Sequence, residues 1–158
     1  MAYTITLRGY GSFGEWQEIY LKAPTMYFAR EREAEEMARE MDDLAWDLWD
    51  RSHADASEDE KLQAADHAPA FEAEKAPIGM LSGTPSIQYE EDAYKEIAVE
   101  IDQITQLKLW AAFELVDGEW KIANEGVRCE NSLEFSRFSS ADRKEIESAV
   151  VRVARSIL

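Results

Sequence analysis

The chain has 158 residues, 46% of them hydrophobic and 11% aromatic, which is the composition of a single folded domain. Its 33 acidic and 17 basic residues give a net charge of −16, which disfavours binding to nucleic acid or to an anionic membrane and favours basic protein surfaces. No apolar run is long enough to span a bilayer, and the first residues do not resemble a signal peptide. Because Cys129 is the single cysteine, no intrachain disulfide can form, and we expect a cytoplasmic protein.

The chain opens with a predicted strand, a glycine-rich loop and a second predicted strand. Residues 3–8 alternate between apolar and polar side chains, which predicts an antiparallel strand with one solvated face, and residues 15–23 are predicted to pair with it. Between them, Gly9–Gly14 has the spacing G-x-G-x-x-G, which holds phosphates where the glycines open a helix. Because a strand is expected to follow here, we interpret Gly9–Gly14 as a hairpin loop. A small ligand-binding domain or enzyme that uses this loop stays open as an alternative of another class.

The apolar period then changes to that of an amphipathic helix, which we predict over residues 30–51. Its apolar stripe comprises Ala34, Met37, Ala38, Met41, Leu44, Ala45, Leu48 and Trp49. Residues 52–86 are rich in alanine, proline and acids, and we interpret them as an excursion, either ordered or mobile. Within it, Ser57 and Glu60 match a capping box, which predicts a short helix ending near Ala68.

The second half of the chain is predicted to form strands. Residues 94–104 fit both a strand and a helix, and their β-branched residues favour the strand. The pair Asp117 and Gly118 stands between two alternating runs and is typical of a two-residue hairpin turn. The cross-strand pairs that this turn predicts are Leu115 with Trp120, Phe113 with Ile122, and Glu114 with Lys121.

The chain ends in a predicted helix that begins at a second capping-box match, Ser139 with Asp142. Together these elements predict an α+β fold: an antiparallel sheet of four to five strands with two main helices, about 30–51 and 140–157, packed on one face. We expect all of them to belong to one domain over residues 1–158.

One side of the helix predicted over residues 30–51 carries a row of acids. Its members are Glu36, Glu40, Asp43, Asp47 and Asp50. They are spaced by about 5 Å along the helix axis, which is sparser than the phosphates of one DNA strand, about 3.4 Å apart, but of similar order. We interpret the row as a candidate partner-binding surface that mimics phosphates. The alternative is an ordinary solvated face that Arg32, Arg39 and Arg51 neutralise in part, since each lies four residues from an acid of the row.

Trp46 lies on the shoulder of this helix, outside the apolar stripe and beside acids. An indole with a charged rim is typical of an interface anchor, so we include Trp46 among the partner-binding residues. The alternative is that the segment that follows the helix covers it.

Other candidate chemistry is weak. His53 and His67 lie near acids in the excursion, but no ligand pair has the spacing of a known metal site. Cys129 has no motif around it, and a buried small hydrophobe is its commoner fate. We therefore expect no metal, no cofactor and no catalytic residue.

No motif assigns the chain to a family. In composition alone it is similar to two kinds of small acidic inhibitor: phage proteins that block bacterial defence nucleases, such as anti-CRISPR or anti-restriction proteins, and immunity proteins that neutralise toxins. The expectation is a non-enzymatic acidic protein that occupies a basic surface of a nucleic-acid-processing protein, without binding nucleic acid or membrane itself. A toxin-neutralising immunity protein is the alternative, and a homodimer formed through the apolar sheet face is a further possibility.

Overall fold

The computed structural model describes residues 1–8, 26–67, 70–105, 107–130 and 132–158. The glycine loop Gly9–Gly14 and the strand expected over residues 15–23 lie outside them. The strands are β1 (Ala2–Arg8), β2 (Ala70–Ala76), β3 (Gly83–Glu91), β4 (Tyr94–Ile101), β5 (Lys108–Val116) and β6 (Glu119–Cys129). The helices are α1 (Glu31–Ser52), α2 (Glu58–His67), α3 (Ser132–Ser136) and α4 (Ser140–Arg155). The predicted α+β class is confirmed, because the described residues form a four-stranded antiparallel sheet, a two-stranded sheet and four helices.

Two compact units are distinguished by their internal contacts, and each is described separately. The N-terminal unit comprises Tyr3–Lys75, and the C-terminal unit comprises Met1–Ala2 together with Ala76–Leu158. The single domain expected over residues 1–158 stays a prediction.

The N-terminal unit is built on the long helix α1 and the strand pair β1–β2. On one side of α1, Ala38, Met41 and Ala45 form a buried cluster with Phe71 of β2, and apolar side chains of β1 pack against it. We call this group the α1–β2 cluster. Three of its four members come from one stripe of the helix, so the amphipathic pattern of the sequence directs this packing.

The ends of the first two helices are set by local bonds. At the end of α1, the backbone N–H of His53 donates to the carbonyl oxygen of Trp49 at 2.9 Å, and the two rings stack with centroids 4.6 Å apart. At the start of α2, Ser57 Oγ accepts from the backbone N–H of Glu60 at 3.2 Å. This bond confirms the predicted cap.

The C-terminal unit is a sheet in the order β3-β4-β5-β6 against which α4 packs. Its core comprises Ile97, Val99, Leu109 and Phe113 from the sheet with Ile146 and Val150 from α4, all fully buried. The helix begins as predicted, since Ser139 Oγ accepts from the backbone N–H of Asp142 at 3.2 Å. Each of the two main helices thus has a sheet of its own.

The hairpin predicted between β5 and β6 is confirmed. Asp117 and Gly118 have φ angles of 52° and 80°, and a two-residue turn of type I′ requires positive φ at both positions. The three predicted pairs are present: Leu115 with Trp120, Phe113 with Ile122, and Glu114 with Lys121. Local turn chemistry therefore fixes the register of the hairpin from the turn as far as the pair Phe113 and Ile122.

Both edge strands of the four-stranded sheet are irregular. β3 contains Pro85, which has no backbone N–H, and its pairing with β4 shifts register after Ile87. In β6, residues 123–126 lie opposite the single residue Ala112, and Gly126 has a φ of 60°. Proline and bulges are typical of edges that do not accept a further strand.

Two strands lie where the sequence pattern predicted none. All of β2 and the beginning of β3 belong to the expected excursion over residues 52–86. The sequence of β2, AFEAEKA, is rich in alanine, glutamate and lysine, which are depleted in strands, and its pairing partner β1 is distant in sequence. Residues 94–104 contain β4 and the turn after it, which confirms the strand interpretation there.

Candidate functional site

The exposed side of α1 carries the acids that the sequence predicts to form a row. Glu36, Glu40, Asp43, Asp47 and Asp50 are all exposed. At about 100° and 1.5 Å per residue, they lie within an arc of about 80° and extend over about 21 Å of the helix axis. The helix therefore presents these five carboxylates as one continuous strip, which we call the acidic row.

Arginines neutralise less of the acidic row than their spacing predicts. Arg32 Nε lies 3.2 Å from Glu36 Oε1, but the two side chains are 86% and 54% exposed, and an exposed pair of this kind contributes little. Within the described part of the chain, Arg39 and Arg51 make no ion pair within 4.0 Å. The other four acids of the row have no arginine paired with them in the described residues. Neighbours four residues apart repel each other by a few tenths of a kcal/mol.

Trp46 is half-buried. It packs against the α1–β2 cluster, and its ring meets that of Trp49 edge-on, with centroids 5.7 Å apart. Trp46 therefore contributes to the packing of the N-terminal unit, and its role as an interface anchor stays a prediction.

Leu44 is the large apolar residue of α1 that packing leaves exposed. The sequence places it in the apolar stripe, yet 49% of its surface is accessible, so the stripe extends beyond the buried side of the helix. The cause is geometric: Leu44 lies about 100° around the helix from Ala45, which is fully buried, and therefore stands at the margin of the apolar arc. The sequence alone indicates this position when the angle around the helix axis is calculated between each residue and the centre of the stripe.

A groove of about 420 Å³ lies between α1 and β2. It is lined by Glu35 and Arg39 from the helix and by Phe71 and Glu72 from the strand. Glu72 also pairs with Arg8 of β1, whose Nε lies 3.3 Å from a carboxylate oxygen. Because charges of both signs line the groove, it does not extend the acidic row as a negative surface.

Asp42 joins α1 to β2 beside this groove. Its Oδ1 accepts a hydrogen bond from the backbone N–H of Phe71 at 2.9 Å. Burial raises the pKa of Asp42; the Phe71 hydrogen bond opposes the rise, and the charges of Asp43 and Glu72 add to it. Asp42 therefore has a structural role in joining α1 to β2.

Another cavity, of about 400 Å³, lies on the four-stranded sheet of the C-terminal unit. It is lined by Glu96, Trp110, Arg128 and Cys129. The Glu96 carboxylate accepts hydrogen bonds from the Tyr94 hydroxyl at 2.9 Å and from Arg128 Nη2 at 3.1 Å. Partial burial and the bond to Glu96 raise the pKa of Tyr94 to about 12. Arg128 balances the charge of Glu96, so this cavity is a small pocket of mixed charge with one aromatic wall.

The remaining candidates of the sequence are His53, His67 and Cys129. His53 caps α1, as described above, and His67 is the last residue of α2. Cys129 is half-exposed, and its Sγ lies 3.7 Å from the carbonyl oxygen of Lys108. Across the described ranges, no group of three or more His, Cys, Asp or Glu side chains is placed to hold a metal ion.

Comparison with known proteins assigns no family to the chain. No protein-family model matches it, and no curated protein or solved structure matches at a significant level. Of the helices described here, none is long and apolar enough to cross a membrane. Among the described residues, the acidic row is the surface with the most distinctive chemistry.

Proposed function

We propose that this chain is a non-enzymatic acidic binding protein that occupies a basic surface of a nucleic-acid-processing protein. The acidic row carries the proposal, since five exposed carboxylates follow one side of α1 and Arg32 is the arginine that pairs with the row in the described part of the chain. Neighbouring members lie about 4.5 or 6 Å apart along the axis, against about 3.4 Å for the phosphates of one DNA strand. A groove that binds phosphates through lysines and arginines would meet a similar, sparser series of charges.

A protein of this kind inhibits its partner by filling the groove that nucleic acid would otherwise enter. The proposed biological setting is a phage-type anti-defence inhibitor, such as an anti-CRISPR or anti-restriction protein, acting in the bacterial cytoplasm. The single cysteine supports a reducing compartment. A toxin-neutralising immunity protein is the alternative, because nuclease toxins present the same kind of basic groove.

The experiment begins by capturing the partner from bacterial lysate at low salt and identifying it. Binding of the purified partner is then measured across a range of salt concentrations. We expect the association rate to fall steeply as salt rises, because steering by exposed charges is screened. The double reversal Glu40→Lys/Asp47→Lys should lower affinity by about tenfold or more, since attraction at two positions becomes repulsion.

A matched control separates the acidic row from net charge. Glu119→Lys/Glu125→Lys makes the same change in total charge at two exposed positions of β6. We expect this variant to keep most of its affinity. Equal losses in the two variants, or an affinity that the row reversal leaves intact, would contradict the proposal.

The cavity beside Trp110 favours one candidate of a different class, a domain that binds a small ligand on its sheet. Thermal unfolding in the presence of nucleotides and divalent metals tests it. A melting temperature that rises and saturates with added ligand, and that no longer rises in Trp110→Ala, would support this candidate over the proposal.

A further inference from the structure

Leu44 stands between the buried side of α1 and the acidic row. It lies about 40° around the helix from Glu40 and about 60° from Asp47. On its other side, Met37 and Leu48 are half-buried and pack against the α1–β2 cluster. The face of the helix therefore passes from core to a half-buried apolar edge, then to an exposed leucine, and then to carboxylates.

We infer that the partner segment that covers this face is a basic amphipathic helix, with lysines or arginines on the acidic row and an apolar side chain on Leu44. The inference rests on the proposed function and specifies the kind of partner segment that binds. Charge complementarity selects a cationic partner, but a partner that offered charge alone would leave Leu44 in water. A helix that lies along α1 brings both kinds of side chain into contact at once, as in other helix recognition.

The length of the apolar surface beside the acidic row fits such a partner. Met37, Leu44 and Leu48 extend over about 16 Å of the α1 axis, which is about three turns of a helix lying alongside. An exposed leucine by itself is ordinary on a protein surface. Here it adjoins a row of like charges, and because two acidic rows repel each other, a second copy of this chain is disfavoured as the occupant.

Two probes with the same positive charge separate the apolar contact from the ionic one. The first is a synthetic 18-residue helical peptide with leucines on one face and lysines on the other, and the second is poly-L-lysine with the same number of lysines. Binding to the full chain is measured for the wild type, for Leu44→Gln and for the control Leu62→Gln, which alters a leucine of α2 that is 63% exposed. Circular dichroism verifies that each variant is folded.

Leu44→Gln should weaken binding of the amphipathic peptide by about five- to tenfold. This factor corresponds to the free energy gained when the exposed half of a leucine side chain is removed from water. Poly-L-lysine should bind Leu44→Gln and the wild type equally, and Leu62→Gln should bind both probes as the wild type does. Leu44→Met, which keeps the apolar contact, should retain most of the peptide affinity.

Equal peptide affinity of the wild type and Leu44→Gln would overturn the inference, as would equal losses in Leu44→Gln and Leu62→Gln. Either result leaves the proposed function standing if Glu40→Lys/Asp47→Lys weakens both probes. If that charge reversal weakens neither probe, the proposed function fails and the inference fails with it.

Discussion

Replacing Asp42 by asparagine tests the charge balance between α1 and β2. The side chain lies next to Asp43 in sequence and close to Glu72, and it holds the backbone N–H of Phe71. Asparagine keeps the acceptor oxygen and removes the negative charge. Alanine removes both, so the two variants separate the hydrogen bond from the electrostatic cost.

The expected magnitude follows from the opposing contributions. Removing the charge weakens the bond to Phe71 by about 1 kcal/mol. It also removes repulsion worth about 0.2–1 kcal/mol for each of the two acidic neighbours, together with the cost of burying the charge. The pKa of Asp42 is raised, so repulsion and the cost of burying the charge together outweigh the hydrogen bond to Phe71. We therefore expect Asp42→Asn to stabilise the fold at pH 7 by up to about 1 kcal/mol, a rise in Tm of roughly 2–4 °C.

Asp42→Ala should be less stable than Asp42→Asn by about 1–3 kcal/mol, because the bond from the Phe71 N–H to Asp42 is then lost. The measurement is urea-induced unfolding of each variant followed by circular dichroism. Asp47→Asn, which removes the same charge from an exposed position of α1, should change the free energy of unfolding by less than about 0.5 kcal/mol.

The pH dependence has a definite sign. A raised pKa means that the folded state holds the Asp42 proton more tightly than the unfolded state does. The stability from protonated Asp42 is therefore fully present below the ordinary aspartate pKa of about 3.9 and is lost as the pH rises through the raised value. The advantage of Asp42→Asn should be largest at neutral pH and shrink toward pH 4. An advantage that grows on acidification, or equal stability of Asp42→Asn and Asp42→Ala, would refute this reasoning.

Two further substitutions test the turn and the tryptophan. Gly118→Ala places a side chain at a φ of 80° with no atom within 4 Å of the new Cβ, so backbone strain alone should lower the free energy of unfolding by about 1 kcal/mol; an unchanged urea midpoint would contradict the turn geometry. Trp46→Ala should destabilise the chain by roughly 2 kcal/mol, since Trp46 packs against the α1–β2 cluster. If Trp46→Ala instead lowers partner affinity without lowering the unfolding midpoint, the residue acts as an anchor rather than as part of the packing.

The elements that the sequence predicted well are determined by local chemistry. Turn residues specify the hairpin at Asp117 and Gly118, and helical periodicity located α1 to within one residue of residues 30–51. Ser57 and Ser139 act as the predicted caps. In each of these cases the residues that determine the structure lie within a few positions of each other.

The missed strand β2 has a long-range cause. β2 is poor in strand-forming residues and pairs with β1, which lies more than sixty positions earlier, so no local pattern reveals it. The exposure of Leu44 has a local cause instead, because Leu44 lies at the margin of the apolar arc of α1. The acidic row could be predicted because solvated side chains follow the helix repeat without needing a partner.

The irregular edges of the four-stranded sheet restrict how the C-terminal unit can meet other molecules. A foreign strand laid along β3 would meet a missing donor at Pro85, and one laid along β6 would meet the interruption at residues 123–126. Main-chain pairing recognises almost any extended peptide, so closing this route guards against fibrous growth and indiscriminate association. Selectivity is then left to the pattern of side chains.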